Sequence, residues 1–480
     1  KNEKMNETRD TQLLVIGAGP GGYTAAFHAA DLGIQVSLVD TEATPGGICL
    51  YRGCIPSKTL LHAAKIISEA RQAQDLGIIF GSLKIDCNKL RQWKNSVVTK
   101  LTDGLGQLTK QRNITFIQGK AAFADSHTVK VQKTDGSLQN IRFEHAILAA
   151  GSGPIPLPNL PDSPHILNAT TALEIADIPK SLLVIGGGYI GLELGTVYAE
   201  LGSDVSIVEI TPGLLPGADR DLVAILEKRL KTLFKSIMLN TKTAKIETAS
   251  HGINVTFENP GGKTSRQEYE KVLVAVGREP NSDHIGLEHT KVKIDERGFV
   301  KVDAQRRTTD PAIYAVGDIT GEPMLAHKAS REGRVAVETI AGKKTTFEPK
   351  AIPAVVFTDP EIAWCGLTET QAAQKNIEIK VAKFPWGASG RAITLNRTDG
   401  LTKLIVDPLT QKILGVALAG TGAGELIAEG VLAIEMGAVA SDLQRSIHPH
   451  PTLSETVMEA AENFFGCSPH LHRNSARSPN

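Results

Sequence analysis

Short apolar runs alternate with glycine-rich turns near the start of the chain, and this order predicts strands that lead into helices. Residues 12–16 form an apolar run, and a glycine-rich turn at 17–22 follows at once. A helical pattern over 24–33 comes next, and a second apolar run ends at Asp40. A strand, a tight turn, a helix and a second strand in this order are typical of the βαβ unit of a parallel sheet.

The same arrangement occurs a second time. An apolar run at 181–185 leads into a glycine-rich turn at 186–191, and a helical pattern over 192–202 precedes a strand that ends at Glu209. In both copies the acidic residue follows the first glycine of the turn by 23 residues. In such units the helix N-terminus binds a pyrophosphate and the acid binds ribose hydroxyls, so two copies predict two bound dinucleotides. The glycines concerned are Gly17, Gly19 and Gly22, then Gly186, Gly188 and Gly191.

Three later apolar runs end in turns of small residues, just before Gly151, Gly277 and Asp318. We expect the last of these runs to return to the first sheet. The predicted fold class is therefore α/β, with two doubly wound dinucleotide-binding domains of the Rossmann type, the second inserted in the first.

The chain changes character at about residue 350. Apolar runs at 354–357, 403–406 and 413–420 are followed by helical patterns at 424–437 and 456–465. This alternation, without a nucleotide-binding turn, predicts a C-terminal α+β domain. The residues from Cys467 onward are polar, and we expect a disordered tail.

Composition argues against some classes of function. Lys plus Arg and Asp plus Glu both number 52, so no charge imbalance favours nucleic acid or an anionic membrane as partner. No apolar run approaches the length of a membrane span, and the first ten residues lack a hydrophobic stretch. We expect a small or protein-bound substrate and a cytoplasmic location, although a mitochondrial matrix enzyme without its transit peptide would look the same.

Two cysteines, Cys49 and Cys54, lie just after the first dinucleotide turn. A structural disulfide in so small a ring would contribute only roughly 2 kcal/mol, and a chain of 480 residues can bury a large core without it. Five cysteines are too sparse and odd in number for a secreted disulfide framework, and a zinc site would need a second pair. The pair is therefore predicted to be redox-active, and no metal site is expected.

The predicted redox role of the two thiols indicates which two cofactors bind. A nicotinamide passes a hydride whereas a disulfide takes up two electrons by thiolate exchange, so a flavin between them is the simplest relay. We assign FAD to the first turn, which leads into the cysteines, and the nicotinamide cofactor to the second. Glu209 favours NAD over NADP because its carboxylate would repel a 2′-phosphate, and the next arginine along the chain is Arg220.

Three polar residues near these motifs have both a structural and a functional interpretation. Lys58, one helical turn after Cys54, would favour a thiolate, but a solvated lysine is the commoner case. Asp318 fits a ligand of a sugar-like chain or a turn cap, and Glu193 fits a helix-dipole partner or a flavin contact.

The C-terminal segment IHPHPTLSET contains His448, His450 and Glu455. Thr452 and Glu455 have the spacing of a capping box that opens the last helix, which gives Glu455 a structural explanation, and His448 is interpreted as structural too. Thiol chemistry near neutral pH needs a base, since an unperturbed thiol has a pKa of about 8.5. His450, oriented by Glu455, fits that role, and simple packing is the alternative.

Several segments in order resemble the class I pyridine nucleotide-disulfide oxidoreductases, from about Thr11 to Phe465. The resemblance implies FAD and NAD as cofactors and the NAD-linked oxidation of protein-bound dihydrolipoamide. It also implies a homodimer formed through the C-terminal domain. The segments are GGICLYRGCIPSK, GDITGEPMLAHKA, FTDPEIAWCGLTE, FPWGASGRA and HPHPTLSE.

The resemblance also implies roles for single residues. Cys49 is similar to the thiol that meets the substrate and Cys54 to the thiol against the flavin, with Lys58 and Glu193 as an ion pair beside the flavin ring. His450, oriented by Glu455, corresponds to the base that acts on Cys49 of the other subunit. The remaining implied contacts are Asp40, which stands where glutamate is usual, Ala121, Gly151, Ser152, Asp318 and Ala326 for FAD, and Glu209, Ala275 and Gly277 for NAD.

On this resemblance four segments are expected. They are an FAD-binding domain at 1–152, an NAD-binding domain at 153–279, a central domain at 280–349 that completes the FAD-binding fold, and an interface domain at 350–480. The implied partners are the lipoyl-bearing and subunit-binding domains of 2-oxo acid dehydrogenase acyltransferase components. Glycine cleavage is an alternative, and the complex stays open.

Three residues differ from, or add to, the pattern. Tyr51 and Arg52 stand where many relatives have Asn-Val, and we expect them to change the thiol environment or the docking face. Tyr189 lies where glutathione reductases have a lid over the flavin.

Three other functions agree less well with the sequence. Glutathione reductase is disfavoured by Glu209 and by missing phosphate-binding arginines, and mercuric reductase by Cys467, which stands without a second cysteine. A flavoprotein that serves mainly as a binding subunit is disfavoured because the thiol, lysine and histidine set is complete.

Overall fold

The computed structural model describes residues 8–472. Residues 8–148 form β1 (Thr8–Ile16), α1 (Pro20–Asp31), β2 (Val36–Asp40), α2 (Gly47–Arg52), α3 (Cys54–Gln72), α4 (Cys87–Gln111), β3 (Thr115–Asp125), β4 (Thr128–Lys133) and β5 (Leu138–Leu148). The next segment forms β6 (Ser152–Pro154), β7 (Ile166–Asn168), α5 (Ala169–Ala172), β8 (Ser181–Ile185), α6 (Tyr189–Leu201), β9 (Asp204–Val208), α7 (Arg220–Leu233), β10 (Ser236–Met238), β11 (Lys242–Thr248), β12 (Ile253–Glu258), β13 (Thr264–Tyr269), β14 (Lys271–Val274) and β15 (Arg278–Pro280).

The remaining elements return to the first sheet and then build a third one. They are β16 (Ile313–Ala315), α8 (Ala326–Ile340), β17 (Ala354–Val356), β18 (Glu361–Gly366), α9 (Glu369–Lys375), β19 (Lys380–Pro385), α10 (Gly390–Thr394), β20 (Leu401–Val406), β21 (Ile413–Gly420), α11 (Ala423–Met436), α12 (Ala440–Arg445) and α13 (Glu455–Phe465). Short 3-10 turns lie at Ala73–Leu76, Leu287–His289, Gly317–Thr320 and Trp386–Ala388.

The first sheet is built around β1, which pairs in parallel with β2 on one side and β5 on the other. β3 extends the parallel part beyond β2, and β16 extends it beyond β5. β4 pairs in antiparallel fashion with the C-terminal part of β3 and with the N-terminal part of β5. Because β16 follows the whole second unit in the chain, its pairing with β5 confirms that the second dinucleotide-binding domain is inserted in the first.

The second sheet is parallel, in the order β10, β9, β8, β14 and β7. Its strands are buried on both faces, as their uninterrupted apolar runs predict. One face packs against α6 and α7, and the other packs against the antiparallel sheet formed by β11, β12 and β13. A short antiparallel ribbon of β6 and β15 lies at the passage between the first two domains.

The third sheet is antiparallel, in the order β17, β18, β21, β20 and β19, with α11 and α13 packed on it. The predicted strands and helices of this α+β domain are present as β17, β20, β21, α11 and α13, whereas β18 and β19 were not predicted. The segment boundaries at 152, 279 and 349 stay predictions. No helix within residues 8–472 has the length and apolar character needed to cross a membrane.

The expectation of a disordered tail from Cys467 is wrong for residues 467–472. Ser468 is buried, and its hydroxyl donates to Glu459 Oε2 at 2.7 Å. His470 contacts the other oxygen of the same carboxylate, and Leu471 packs on the core of the third domain. These contacts give polar residues a reason to be ordered, and the rest of the predicted tail, 473–480, lies outside the described residues.

Candidate functional site

The first glycine-rich turn is packed so closely that two of its glycines have no room for a Cβ atom. A Cβ on Gly17 would lie 2.3 Å from the carbonyl oxygen of Ala149, and a Cβ on Gly22 would lie 1.7 Å from the carbonyl oxygen of Gly17. Gly19 is different, since the nearest heavy atom to its Cβ would be Gly47 Cα at 3.9 Å. The open space at Gly19, at the N-terminus of α1, suits the approach of a pyrophosphate.

The second turn has the same geometry. A Cβ on Gly186 would lie 2.3 Å from the carbonyl oxygen of Ala275, and a Cβ on Gly191 would lie 2.2 Å from that of Gly186. A Cβ on Gly188 would meet no heavy atom within 4 Å in the described part of the chain. The residues therefore fit a second pyrophosphate at the N-terminus of α6.

Replacement of Gly22 by alanine is expected to prevent stable binding of flavin. The added methyl group overlaps the backbone of Gly17, and the turn has to open before the helix can pack on the sheet. The flavin content of the purified variant, measured by its absorbance, checks this result. Gly33→Ala is the matched control, because a Cβ there meets nothing within 4 Å in the described structure, although its φ of 82° carries some strain.

Each acidic residue is fixed to its own glycine turn. Asp40 accepts hydrogen bonds from the backbone N–H of Ala18 at 2.5 Å and of Glu42 at 2.9 Å. Glu209 is buried and accepts from the N–H of Gly187 at 2.6 Å and of Thr211 at 2.8 Å. These bonds hold both carboxylates at the ends of β2 and β9, where the ribose of a dinucleotide lies.

A cavity of about 340 Å³ brings most of the predicted FAD residues together. Gly22 does not line the cavity and packs against the backbone of Gly17 instead. Ala121 lies in β3 with its side chain in the core, so the structure does not bring Ala121 to the cavity lining. Ala275 and Gly277 follow β14, beside the second turn. The predicted residues that line the cavity are Gly17, Gly19, Asp40, Cys49, Cys54, Lys58, Gly151, Ser152, Glu193, Asp318 and Ala326.

The two cysteines are free thiols at the junction of α2 and α3. Their mutual hydrogen bond, reinforced by burial, raises the pKa of Cys49. The same hydrogen bond, aided by the Lys58 ammonium, outweighs burial and lowers the pKa of Cys54 to about 7. The reduced pair therefore carries its negative charge on Cys54 and its proton on Cys49, and the oxidised disulfide remains a prediction.

Lys58 and Glu193 form an ion pair on the cavity wall, in which Glu193 is buried and Lys58 is partly exposed. Lys58 Nζ lies 3.0 Å and 2.8 Å from the two carboxylate oxygens of Glu193, whose side chain is 3% exposed. The hydroxyl of Ser57 and the backbone N–H of Phe357 also donate to Glu193, each at 3.0 Å. Lys58 is therefore paired and is not a solvated surface lysine, and the place of the pair beside a flavin ring stays a prediction.

Asp318 is held by a neighbouring hydroxyl and an arginine. The Ser152 hydroxyl donates to Asp318 Oδ2 at 2.5 Å, and Arg278 Nε donates to the Ser152 hydroxyl oxygen at 2.8 Å. Arg278 also lines the cavity, and sequence reasoning missed it. Only the pairing of β15 with β6 brings this arginine to the flavin side, which no local pattern reveals.

The side chains of Tyr51 and Arg52, on α2, contact residues of the loop after β2. The hydroxyl of Tyr51 hydrogen-bonds to the side chain of Thr44 at 2.6 Å, and Arg52 pairs with Glu42. Both expected effects, on the thiol environment and on the docking face, stay predictions. Tyr189, the first residue of α6, lines the same cavity and is 41% exposed.

His450 and Glu455 form the predicted dyad, but away from this cavity. His450 Nδ1 lies 2.8 Å from Glu455 Oε1, and the backbone N–H of Thr452 donates to Glu455 Oε2 at 2.8 Å. Burial alone would raise the pKa of Glu455, but the bonds from Thr452 and His450 outweigh it and lower that pKa. Because the carboxylate accepts at Nδ1, Nε2 of His450 has no hydrogen-bond partner among residues 8–472, and the side chain is 76% exposed.

The predicted capping box is only half formed. Helix α13 begins at Glu455, and the Thr452 hydroxyl donates to the carbonyl oxygen of Pro449 instead of accepting from a helix amide. The imidazole of His448 contacts the carbonyl oxygen of Ser446 and the carboxylate of Glu429, which agrees with its structural interpretation.

Asp219, Asp221 and Glu369 lie close enough together to hold a metal ion, but an ammonium group occupies the centre of the cluster. Lys403 Nζ lies 2.6 Å, 2.8 Å and 2.8 Å from these three carboxylates, and its side chain is fully buried. This lysine cluster joins α7 of the second domain to α9 and β20 of the third.

Comparison with known proteins agrees with this geometry. Residues 11–333 match the family model for pyridine nucleotide-disulphide oxidoreductases, and residues 352–461 match the model of their dimerisation domain. Dihydrolipoyl dehydrogenase of Haemophilus influenzae is 48% identical over 463 residues, which cover 96% of each chain.

Two solved structures have the same fold. LpdA from Mycobacterium tuberculosis superimposes with a TM-score of 0.87 and 26% identity, covering 94% of this chain and 99% of that one. The HOCl-induced flavoprotein disulfide reductase RclA from Escherichia coli gives a TM-score of 0.85 and 29% identity, covering 95% and 99%. The chain belongs to the pyridine nucleotide-disulphide oxidoreductase family.

Proposed function

We propose that this protein is a dihydrolipoyl dehydrogenase, which oxidises protein-bound dihydrolipoamide to lipoamide and reduces NAD to NADH. The observation that carries the proposal is the asymmetric thiol pair in a cavity that also contains the Lys58–Glu193 ion pair. The near full-length similarity to a dihydrolipoyl dehydrogenase supports this choice within the family.

The cofactors are FAD at the first glycine turn and NAD at the second. The open cradle at Gly19, the acid at Asp40 and the Ser152–Asp318 pair fit FAD in the first domain. When bound, FAD would accept the electron pair that Cys54 gives up as Cys49 loses its proton and the Cys49–Cys54 disulfide re-forms, and it would supply that pair to NAD as a hydride.

The thiol exchange uses residues of two subunits. His450 takes a proton from the dihydrolipoyl dithiol, and the resulting thiolate attacks Cys49 of the Cys49–Cys54 disulfide. The S–S bond of the pair breaks and a mixed disulfide with Cys49 forms, which leaves Cys54 as a thiolate stabilised by Lys58. The second substrate thiol then attacks the substrate sulfur of the mixed disulfide, so the S–S bond of lipoamide forms and the bond to Cys49 breaks. Its proton passes to Cys49, which becomes a thiol, and the proton held by His450 passes to solvent.

A homodimer is needed because His450 does not line the cavity of its own chain. Its exposed Nε2 is available to the active site of a second subunit, and Glu455 orients the ring through Nδ1. The dimerisation-domain match at 352–461 includes both residues of the dyad. Each active site in this proposal therefore contains cysteines from one chain and histidine from the other.

The preference for NAD over NADP follows from Glu209 and from Arg220, whose guanidinium is already hydrogen-bonded within the protein. The Arg220 guanidinium donates to the carbonyl oxygens of Leu214, Leu215 and Ala218, so it is already engaged by the loop behind Glu209. It is therefore not placed to bind a 2′-phosphate. This supports NAD over NADP and favours dihydrolipoamide oxidation over the glutathione reductase alternative.

Replacing Glu209 with alanine should reduce the preference for NAD over NADP by roughly tenfold to a hundredfold, because a charge-assisted bond to the ribose is lost and the repulsion of phosphate disappears. The ratio of kcat/KM for the two nucleotides measures the effect. An unchanged ratio would contradict the role of Glu209. Glu258→Ala is the control, since that acid lies on β12, outside the two nucleotide turns.

The substrate is carried by another protein, and we propose that this partner provides the lipoyl-bearing and subunit-binding domains of a 2-oxo acid dehydrogenase acyltransferase. We place the enzyme in the cytoplasm or in the mitochondrial matrix. A steady-state assay of the purified protein with lipoamide and NADH, with glutathione disulfide and NADPH in parallel, tests the proposed function. Turnover confined to the glutathione pair would overturn it.

A further inference from the structure

The carboxylate of Glu193 is shared between two domains. Ser57 and Lys58 reach it from α3 of the first domain, and the backbone N–H of Phe357 reaches Glu193 Oε1 at 3.0 Å from the loop after β17. Phe357 belongs to the region that matches the dimerisation domain. The third domain therefore contributes one of the hydrogen bonds that fix the ion pair of the cavity.

Phe357 also contacts the positive member of the pair. The ring centroid of Phe357 lies 4.7 Å from Lys58 Nζ, within the range of a cation–π interaction. The same residue thus binds the anion through its amide and the cation through its ring, although it does not itself line the cavity. Both contacts restrict where the Lys58 ammonium lies relative to Cys54.

The other side of the Phe357 loop is held by helix α11. A Cβ on Gly424, in the first turn of that helix, would lie 2.9 Å from Val355 Cγ1 and 3.5 Å from Phe357 Cε1. The Gly424 N–H donates to the half-buried Glu361 at 2.8 Å, which fixes the helix end against the sheet. The segment from Val355 to Phe357 is therefore clamped between the ion pair and α11, with little room to shift.

We propose that Phe357 is a positioning residue for the thiol chemistry: its amide and ring hold the Glu193–Lys58 pair in place, so that the ammonium stabilises the Cys54 thiolate. This inference deepens the proposed function and rests on it, since it concerns the thiolate that donates electrons there.

Five groups near Cys54 bear on its ionisation. Cys49 donates a hydrogen bond, Lys58 favours the thiolate and Glu193 opposes it. Tyr23 and Tyr189 also lie close enough to interact with the Cys54 charge. Phe357 is uncharged and acts only through Lys58 and Glu193, so its replacement leaves the charge of all five groups unchanged.

The test compares Phe357→Leu with Phe357→Tyr in a Cys49→Ser background, where Cys54 cannot form the disulfide. The rate at which iodoacetamide alkylates Cys54 is measured against pH in the purified, flavin-loaded dimer. Leucine removes the ring beneath Lys58 and should raise the midpoint of this profile by roughly half a pH unit. Tyrosine keeps the ring and should leave the midpoint where the Phe357 protein has it.

A midpoint that Phe357→Leu leaves unchanged overturns the inference. So does an equal shift in both variants, since that would reflect repacking of the loop and not loss of the ring. Gly424→Ala tests the amide contact and not the ring: its methyl group has to displace Val355 and with it the Phe357 N–H that donates to Glu193, so the midpoint should rise although residue 357 is still phenylalanine. An unchanged midpoint in this variant overturns the role of the amide.

The proposed function is tested separately, by the lipoamide assay of the unaltered protein. Alkylation of Cys54 requires neither lipoamide nor NAD, so a protein without lipoamide turnover that still shows the leucine shift would overturn the substrate assignment and keep the role of Phe357. Normal turnover without the leucine shift would do the reverse.

Discussion

Replacing Cys49 with serine abolishes dihydrolipoamide oxidation while flavin stays bound; this is the largest effect that we expect. Serine cannot form the mixed disulfide with the substrate, so the exchange step has no route. Cys54 then remains a thiol or thiolate beside the cofactor in every state of the enzyme. The measurements are steady-state turnover with lipoamide, and flavin content by absorbance.

The matched control is Cys365→Ser, which alters a cysteine on β18 that lies in the core of the third domain, far in sequence from the pair. It should cost stability but leave turnover per bound flavin unchanged. Undiminished lipoamide turnover in Cys49→Ser would refute the exchange step. A colourless Cys49→Ser protein would instead indicate that the substitution damages the cofactor site.

Replacing His450 with glutamine should slow the oxidation by about 10² to 10⁴-fold, the usual range for loss of a general base. Glutamine keeps a polar side chain of similar reach but cannot take up the proton of the substrate thiol near neutral pH. The pH profile of kcat/KM is the decisive measurement, because it should lose the limb that reports the base. Near-normal rates would assign His450 to packing.

Hybrid dimers show whether His450 acts in its own chain or in the other. A dimer of one Cys49→Ser chain and one His450→Gln chain has one intact site if the cysteines and the histidine come from different subunits. It has none if they come from the same subunit. Mixing and refolding the two inactive homodimers should therefore restore part of the turnover, and a mixture that stays inactive contradicts the shared site.

The nucleotide turns were predictable because their demands are local. Gly17 and Gly22 are required by overlap with backbone atoms of the same unit, and such steric needs leave a pattern in the sequence. The insertion of one domain in the other was also predictable, since the apolar run before Asp318 had to pair with a sheet that was already defined.

The contacts between domains could not be predicted in this way. Arg278 reaches Ser152 through the β6–β15 ribbon, and Phe357 reaches Glu193 from a different domain, so neither contact leaves a periodic signal. The ordered residues after Phe465 were missed because polar composition suggested disorder, whereas Glu459 binds both Ser468 and His470. Strand β18 was missed because its apolar run covers only four residues, 362–365, and so short a run does not distinguish a strand from another buried segment.

The roles carried over from the resemblance had mixed outcomes in the geometry. The structure groups Cys49, Cys54, Lys58, Glu193 and Asp318 around one cavity, as the resemblance implied. It places the side chain of Ala121 in the core instead. The partnership of His450 with a second subunit stays a prediction, because it concerns two chains.

The lysine cluster of Lys403 has a mechanical consequence. Its ammonium is enclosed by carboxylates from two domains, and pulling those domains apart would remove Asp219 and Asp221 and leave Glu369 as the one carboxylate of the cluster beside it, at a cost of several kcal/mol. Hinge bending between the second domain and the third domain is therefore opposed. Nucleotide entry and exit at the second glycine turn are then expected to use local motions of side chains and loops, while the second domain keeps its position on the third.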